Sequence, residues 1–364
     1  MSQITATITA YYLFDIAESI RLDALEALLG PAASRATLYD KAPGAPRVRY
    51  IQPPVVVDGA AFHEATLADF KVRVKLFDYG VVSLALGRPF AGGWPELVAV
   101  GQELIENESL QAAAEATFQR ILARIAPCLD GAHSALIDEE YLVVAITAAD
   151  PPMSADDLVE RHGTAIAQLL RGERHPLSGQ ERDEVLRHRL SYLSDDLVIP
   201  AWNAALIYDT ELGAAGGAEV LEFANSQLLE FRYHDERLET ALGRIYSALQ
   251  HPRWTDGLIG RRHLRATREL HSLFIDVNEL TDRTENALKL VGDVYSARLF
   301  SLVAARLGLD HWKRNVQEKL KTLDDIYRFA VEQTRVSQGN MLELVIVLIL
   351  VFELGLTLQD LLGW

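Results

Sequence analysis

Cysteine is almost absent from this sequence, and basic residues are outnumbered by acidic ones. Cys128 is the single cysteine among 364 residues, which excludes an intramolecular disulfide and a CxxC metal or redox site. It ends an apolar helical pattern, so we expect it to be buried rather than reactive. The formal net charge of −16 argues against broad binding of nucleic acid, because phosphate binding requires a positive field.

Recognisable catalytic and cofactor-binding motifs are also missing. The sequence has no H-E-x-x-H zinc motif, no Cys/His array and no G-x-S-x-G nucleophile elbow. Gly213, Gly216 and Gly217 fit neither the G-x-G-x-x-G nor the Walker A spacing, so they predict a turn before a helix rather than a phosphate cradle. We therefore expect no metal and no cofactor, assign no catalytic residue and favour a protein that is not an enzyme.

The N-terminal segment lacks the features of a targeting sequence. A secretory leader needs a basic segment before its apolar stretch, and the first basic residue here is Arg21. Nor is there an Arg-rich, acid-poor transit peptide. We expect a cytoplasmic protein, with attachment to the inner face of the cytoplasmic membrane as an open alternative.

Residues 1–150 contain β-branched and aromatic stretches that alternate with helical patterns. The predicted strands and helices, in chain order, are strand 4–14, a helix that Ser19 caps and Gly30-Pro31 ends, strands 48–57 and 70–86, helix 94–125 and strand 141–148. The order β-α-β-β-α-β predicts a ferredoxin-like domain and an α+β fold class. Asp78-Tyr79-Gly80 is interpreted as a tight bend within the strand 70–86.

The remainder of the chain is predicted to be mostly helical. Pro151-Pro152 marks a boundary before a mixed α/β connecting region at 151–217. Residues 218–340 predict a long antiparallel helical hairpin, because apolar pairs such as Leu270/Leu273 and Val277/Leu280 follow a coiled-coil-like period of seven. Another apolar stripe follows Gly308, at Val316, Leu320, Leu323, Tyr327 and Ala330.

A hydrophobic helix is predicted at the C-terminal end, residues 341–364. Within 341–358 it has fourteen apolar residues, which favour membrane insertion by about 0.4 kcal/mol each, and two glutamates, which oppose it by about 3 kcal/mol each. This near balance leaves three interpretations: a membrane anchor, a buried oligomerisation helix or the central helix of a soluble core. The residues expected to act in membrane binding or oligomerisation are Glu343, Leu344, Ile346, Leu348, Leu350, Phe352, Glu353 and Trp364.

Two further groups of residues are candidates for ligand contacts. The densest basic cluster could hold phosphate or a lipid headgroup, or could be a solvated helix end; it comprises Arg253, Arg261, Arg262, Arg265 and Arg268. If a cleft lies between the sheet and the helical region, Asp78 and Asp209, with Tyr79 or Trp202 nearby, are the residues to test. Core packing is the alternative explanation for Trp202.

Three segments together resemble a known family. AYYLFDIAESIRLDALEALL, VKLFDYGVVSLAL and the closing LELVIVLILVFELGL, with a long helical pair, resemble the YagE/required-for-meiotic-nuclear-division family, a bacterial and mitochondrial group with a domain of unknown function. The resemblance covers most of the chain. It implies membrane association through the C-terminal helix, self-assembly and, for mitochondrial members, support of organelle protein synthesis. The missing mitochondrial leader favours a bacterial source, and the resemblance implies no catalytic residues.

Two functional hypotheses follow from these patterns. The first is a non-enzymatic, homo-oligomeric scaffold that associates with a membrane through its C-terminal helix and binds a protein partner. The alternative is an enzyme or small-ligand-binding protein with a cleft between the α/β and helical regions.

Overall fold

The protein has an α+β fold with a mixed sheet and several helices. The computed structural model describes residues 3–36, 48, 50, 52–59, 67–105, 107–250, 275, 277–278, 294–326 and 328. The chain divides into two units, one formed by Met1–Tyr233 with Leu280–Lys313 and the other by His234–Glu279 with Arg314–Trp364. The expected C-terminal helix, with its membrane and oligomerisation residues, and the basic cluster at 253–268 lie outside the described residues.

The first unit is built on one sheet, which contains eight strands in the part of the chain that the structure describes. They are β1 (Gln3–Ile20), β2 (Ala33–Arg35), β3 (Val55–Asp58), β4 (Lys71–Leu76), β5 (Val81–Gly92), β6 (Leu129–Asp150), β7 (Leu197–Pro200) and β8 (Ala204–Tyr208). Their spatial order is β2-β3-β4-β5-β1-β6-β8-β7. Neighbouring strands are antiparallel except β6 and β8, which are parallel.

Helices cover both faces of this sheet. They are α1 (Leu22–Leu29), α2 (Trp94–Ile105), α3 (Glu108–Ile125), α4 (Ala155–Arg171), α5 (Gly179–Arg187), α6 (Glu211–Gln250) and α7 (Val294–Leu307). The single helix predicted over 94–125 is therefore two helices. The second begins where the Asn107 side chain accepts a hydrogen bond from the Leu110 N–H, the usual device for starting a helix.

The strand predicted over 70–86 is a β-hairpin made of β4 and β5. Alternation of apolar residues continues through both strands, so the pattern alone does not reveal the reversal between them. Gly80 allows it by adopting φ +92°, and the Phe77 N–H donates to the Val81 carbonyl across the turn. The glycines at 213, 216 and 217, expected in a turn, instead lie within the first turns of α6.

The two faces of the sheet differ in chemistry. Along β1, even-numbered residues such as Ile8 and Phe14 enter an apolar core, where Phe14 stacks on Phe118 of α3 with ring centroids 3.8 Å apart. Cys128 is buried in the same core, as expected. On the opposite face, Tyr11, Leu13 and Asp15 in the second half of β1 are buried, whereas Thr5 and Thr7 in its first half are exposed. The part of that face that α6 covers holds buried polar and charged residues, including Asp15, Lys75 and Ser83, next to apolar ones such as Leu13.

In the second unit, the later part of α6 and the helical residues 314–326 are described. Leu238 and Leu242 of α6 are buried, and the predicted stripe at Val316, Leu320 and Leu323 is also buried. The Lys319 ammonium pairs with Glu239 at 2.7 Å and with Asp235 at 3.1 Å. Among the described residues, no helix combines the length and the apolar character needed to span a membrane.

Candidate ligand-binding site

A layer of polar side chains lies between the sheet and the first part of α6. Strand β4 places Val72, Val74 and Leu76 in the apolar core, so its alternate residues Arg73 and Lys75 face the helix. Glu219, Glu222 and Ser226 are spaced by three and four residues on α6, which brings them to one helix face.

The centre of this layer is a buried ion pair. Lys75 Nζ lies 2.5 Å from Glu222 Oε2, and the two residues are only 5% and 2% exposed. Burial works to raise the pKa of Glu222, but the charges of Lys75 and Arg73 outweigh it and hold that pKa below the usual range for glutamate. Glu222 is therefore a carboxylate at neutral pH, and its charge is matched by Lys75.

Phenol groups complete the layer. Ser226 Oγ donates to the Phe223 carbonyl at 2.7 Å, so Tyr79 is the donor in the 2.7 Å hydrogen bond between its hydroxyl and Ser226 Oγ. Burial, and then the negative charge of Glu222 and Glu219, raises the pKa of Tyr11, and the pKa of Tyr50 is raised in the same way. These phenols stay neutral at physiological pH and act as hydrogen-bond donors or acceptors.

A cavity of about 210 Å³ opens beside this ion pair, at the β2–β3–β4 edge of the sheet. Its lining residues are Ser34, Arg35, Ala36, Val56, Arg73, Lys75, Ala215 and Glu219. Ser34, Val56 and Lys75 are register partners across the three strands, so they form one row of the wall. The cavity is smaller than the ~300–1,000 Å³ of pockets for drug-sized ligands, so it suits a small molecule.

Three of the four charged residues that line the cavity are basic. Arg35, Arg73 and Lys75 line it, against the single lining carboxylate of Glu219. Arg35 is oriented by α1: its Nε donates to Glu26 at 2.9 Å, and its Nη2 contacts Asp23. Arg73 is an exposed residue, in contrast to Lys75. The arrangement can hold an oxyanion between a buried ammonium and an accessible guanidinium.

Comparison with known proteins places the chain in a family. A family model described as "Uncharacterized protein MJ0711, N-terminal domain" matches residues 5–215, which is more than half of the sequence. The chain belongs to this family. Uncharacterized protein MJ0711 of Methanocaldococcus jannaschii is 24% identical over 221 residues, covering 60% of this chain and 66% of that protein. No solved structure matches.

Membership of the MJ0711 N-terminal domain family corrects the resemblance drawn from the sequence. The expected YagE/required-for-meiotic-nuclear-division assignment is wrong, because the family model and the archaeal relative both point to the MJ0711 group. The motifs behind that assignment were apolar strands and an apolar tail, which unrelated sequences also contain. The match to the MJ0711 family includes the cavity residues up to Ala215 and stops before Glu219 and Glu222.

The residues expected to share a cleft are dispersed. Asp78 lies beside one end of β1, where its carbonyl accepts a hydrogen bond from the Ile20 N–H. Asp209 lies beside the other end, because its N–H donates to the carbonyl of Ile146, which pairs with Ala6 of β1. Fourteen residues of strand at about 3.3 Å each separate these two sites by tens of ångströms.

Of the other candidates, only Tyr79 lies in the polar layer. Trp202, for which core packing was the alternative, is 53% exposed in the turn between β7 and β8. Its large ring therefore does not contribute to the core. Within the described ranges, no group of His, Cys, Asp and Glu residues is arranged to hold a metal ion.

A second polar cluster ties α6 to the centre of the sheet. His133 Nδ1 lies 3.0 Å from Asp15 Oδ1, and the His133 ring stacks on Tyr233 with centroids 3.9 Å apart. Arg232 contacts Glu139 nearby. Both members of the His133–Asp15 pair are sealed from solvent, so we interpret this cluster as structural.

Proposed function

We propose that the first unit binds a small oxyanionic molecule in the cavity between β2, β3, β4 and the start of α6. The observation that carries this proposal is the convergence of Arg35, Arg73 and Lys75 on one small cavity. It corresponds to the ligand-binding alternative inferred from the sequence, with different residues. Carboxylate and phosphate groups are the ligands that paired guanidinium and ammonium groups recognise.

The buried position of Lys75 supports a functional role for it. Burying a lysine and a glutamate costs several kcal/mol of desolvation per ion, and their mutual attraction roughly offsets this cost. A buried ion pair is therefore weak evidence that the pair stabilises the fold. Perturbed ionisable groups next to a cavity are more often found at functional sites. The Lys75–Glu222 pair has this character, since Lys75 lines the cavity and the pKa of Glu222 is lowered by its cationic neighbours.

Replacement of Arg73 tests the binding proposal. We expect inorganic phosphate, titrated at constant ionic strength, to raise the melting temperature of the wild-type protein. Phosphate at ten times its Kd stabilises the folded state by about 1.4 kcal/mol. Arg73→Gln removes a charge-assisted hydrogen bond and should raise Kd, measured by calorimetry, about tenfold.

Lys71→Gln is the matched control for Arg73→Gln. Lys71 lies on the same strand and the same face as Arg73, and its substitution removes the same charge, but Lys71 does not line the cavity. We expect the Lys71→Gln variant to bind phosphate with the same affinity as the wild type. Equal weakening by both substitutions would show that only the overall charge matters and would contradict a site at the cavity.

We also infer a ferredoxin-like arrangement for four strands of the sheet. Strands β4, β5, β1 and β6 lie side by side in that order, and each pair of neighbours within this group of four is antiparallel. Numbered as the strands of a β-α-β-β-α-β unit, they have the order 2-3-1-4. On this interpretation, β3 and β2 extend one edge and β8 and β7 the other.

We propose, as a second function, that the chain self-assembles or attaches to a membrane through residues 341–358. The support is the apolar run from Leu344 to Phe352, which is interrupted by no polar residue. A 1–340 truncation should lose the oligomer or the membrane fraction that the full chain shows, measured by light scattering and by fractionation. Full-length and truncated proteins of equal size and solubility would contradict this function and leave the cavity proposal intact.

A further inference from the structure

We infer that Glu219 competes with the ligand, because its carboxylate holds the place beside Lys75 that the oxyanion of the ligand takes. This inference rests on the proposed binding function and adds a regulatory residue to it. The ligand class is a small molecule with a phosphate or carboxylate group, which displaces the Glu219 carboxylate when it binds.

The two carboxylates next to Lys75 are unequal. Glu222 is 2.5 Å from the Lys75 ammonium and its side chain is 1% exposed, whereas Glu219 is 3.5 Å away and its side chain is 22% exposed. Charge-assisted hydrogen bonds usually measure about 2.7–2.9 Å, so the Glu219 contact is the looser one. Glu222 is thus the closer counter-ion of Lys75, while Glu219, which also accepts a hydrogen bond from Tyr50, is the more exposed partner and the one that an oxyanion can displace.

Glu219 is also the carboxylate that faces the cavity. It lines the wall together with Arg73 and Lys75, whereas Glu222 is not part of the lining. Because Asp23 and Glu26 pair with Arg35, removal of the Glu219 charge leaves Arg73 and Lys75 facing the cavity with no carboxylate in its wall. An entering oxyanion supplies the negative charge that Glu219 otherwise contributes to the wall.

The helix provides room for this exchange. Ala215 lies one helical turn before Glu219 and lines the same cavity. Side chains on a helix lean towards its N-terminus, so the glutamate passes over the residue four positions earlier. The methyl group of Ala215 fills less of that space than a larger side chain would.

The test compares phosphate Kd values among single substitutions in the full chain. Glu219→Gln keeps the shape and hydrogen-bonding capacity of the side chain but removes its charge, and should lower Kd about tenfold relative to wild type. Arg73→Gln should raise Kd about tenfold. The control is Glu211→Gln, which removes the same charge from an exposed position in the first turn of α6 and should leave Kd unchanged. Circular dichroism verifies that each variant is folded.

The outcomes separate this inference from the binding proposal. Phosphate that binds tightly to Glu219→Gln and weakly or undetectably to the wild type supports the competition. Unchanged or weaker binding by Glu219→Gln, together with weaker binding by Arg73→Gln, overturns the competition and leaves the binding site standing. An equal gain from Glu211→Gln also overturns it, since any lost negative charge would then suffice. Absence of phosphate binding in every variant overturns both proposals.

Discussion

Lys75→Met is expected to lower the free energy of unfolding by about 3–5 kcal/mol, because it leaves the Glu222 carboxylate buried without its counter-ion. Glu222→Leu should have an effect of similar size, since the Lys75 ammonium would retain only the longer contact to Glu219. Urea unfolding followed by circular dichroism measures both values. Each substitution preserves approximate side-chain volume, so the loss reports the unpaired charge rather than a cavity.

The double variant Lys75→Met/Glu222→Leu identifies the cause of these losses. Replacing both members of a buried pair by apolar side chains is often neutral or stabilising, so the double variant should recover most of the stability lost by either single variant. Arg187→Met is a control from an exposed pair with Glu184 and should change stability by less than about 1 kcal/mol. Additive losses in the double variant would show that the two residues stabilise the fold independently.

The ion pair also shows why the site was not predicted from the sequence. The segment KVRVKL alternates strictly, so its pattern places Val72 and Val74 on one face of the strand and the basic residues on the other. The two valines enter the apolar core. A pattern with a period of two cannot reveal that a second layer, α6, covers the other face and buries Lys75.

The partner residues on α6 were equally inconspicuous. Glu219 and Glu222 resemble the solvated face of a long helix, and burial of a glutamate is recognisable only when its cation is known to be opposite. The cation is 147 residues earlier in the chain. The elements that local patterns determine, such as β1, α1 and the stripe at 316–323, were therefore predicted, whereas the pairing of distant charges required the strand order.

The hairpin turn at Asp78-Tyr79-Gly80 is another feature that the local sequence pattern does not reveal. Its glycine is also a position where we expect a substitution to lower the stability strongly. Gly80→Ala is expected to lower the free energy of unfolding by about 3–5 kcal/mol. A Cβ atom there would lie 1.7 Å from the Ala17 carbonyl oxygen, and φ is +92°. The turn cannot move away cheaply, because the Ile16 N–H donates to the Gly80 carbonyl at 3.1 Å and the Ile20 N–H donates to the Asp78 carbonyl at 2.9 Å.

Substitutions at two other glycines distinguish the two causes of that loss, the backbone conformation and the close contact with β1. Gly30 has φ +61° and ψ −140°, a conformation that favours glycine, and no atom lies within 4 Å of an added Cβ, so Gly30→Ala should cost only the backbone strain, about 1–3 kcal/mol. Gly87, in the same hairpin as Gly80, has no positive φ and its nearest neighbour would be 3.6 Å away, so Gly87→Ala should stay within about 1 kcal/mol of wild type. Thermal and urea unfolding of the three variants give the comparison. If Gly80→Ala cost no more than Gly30→Ala, the close approach of the turn to β1 would not contribute, and the loss would come from the backbone conformation alone.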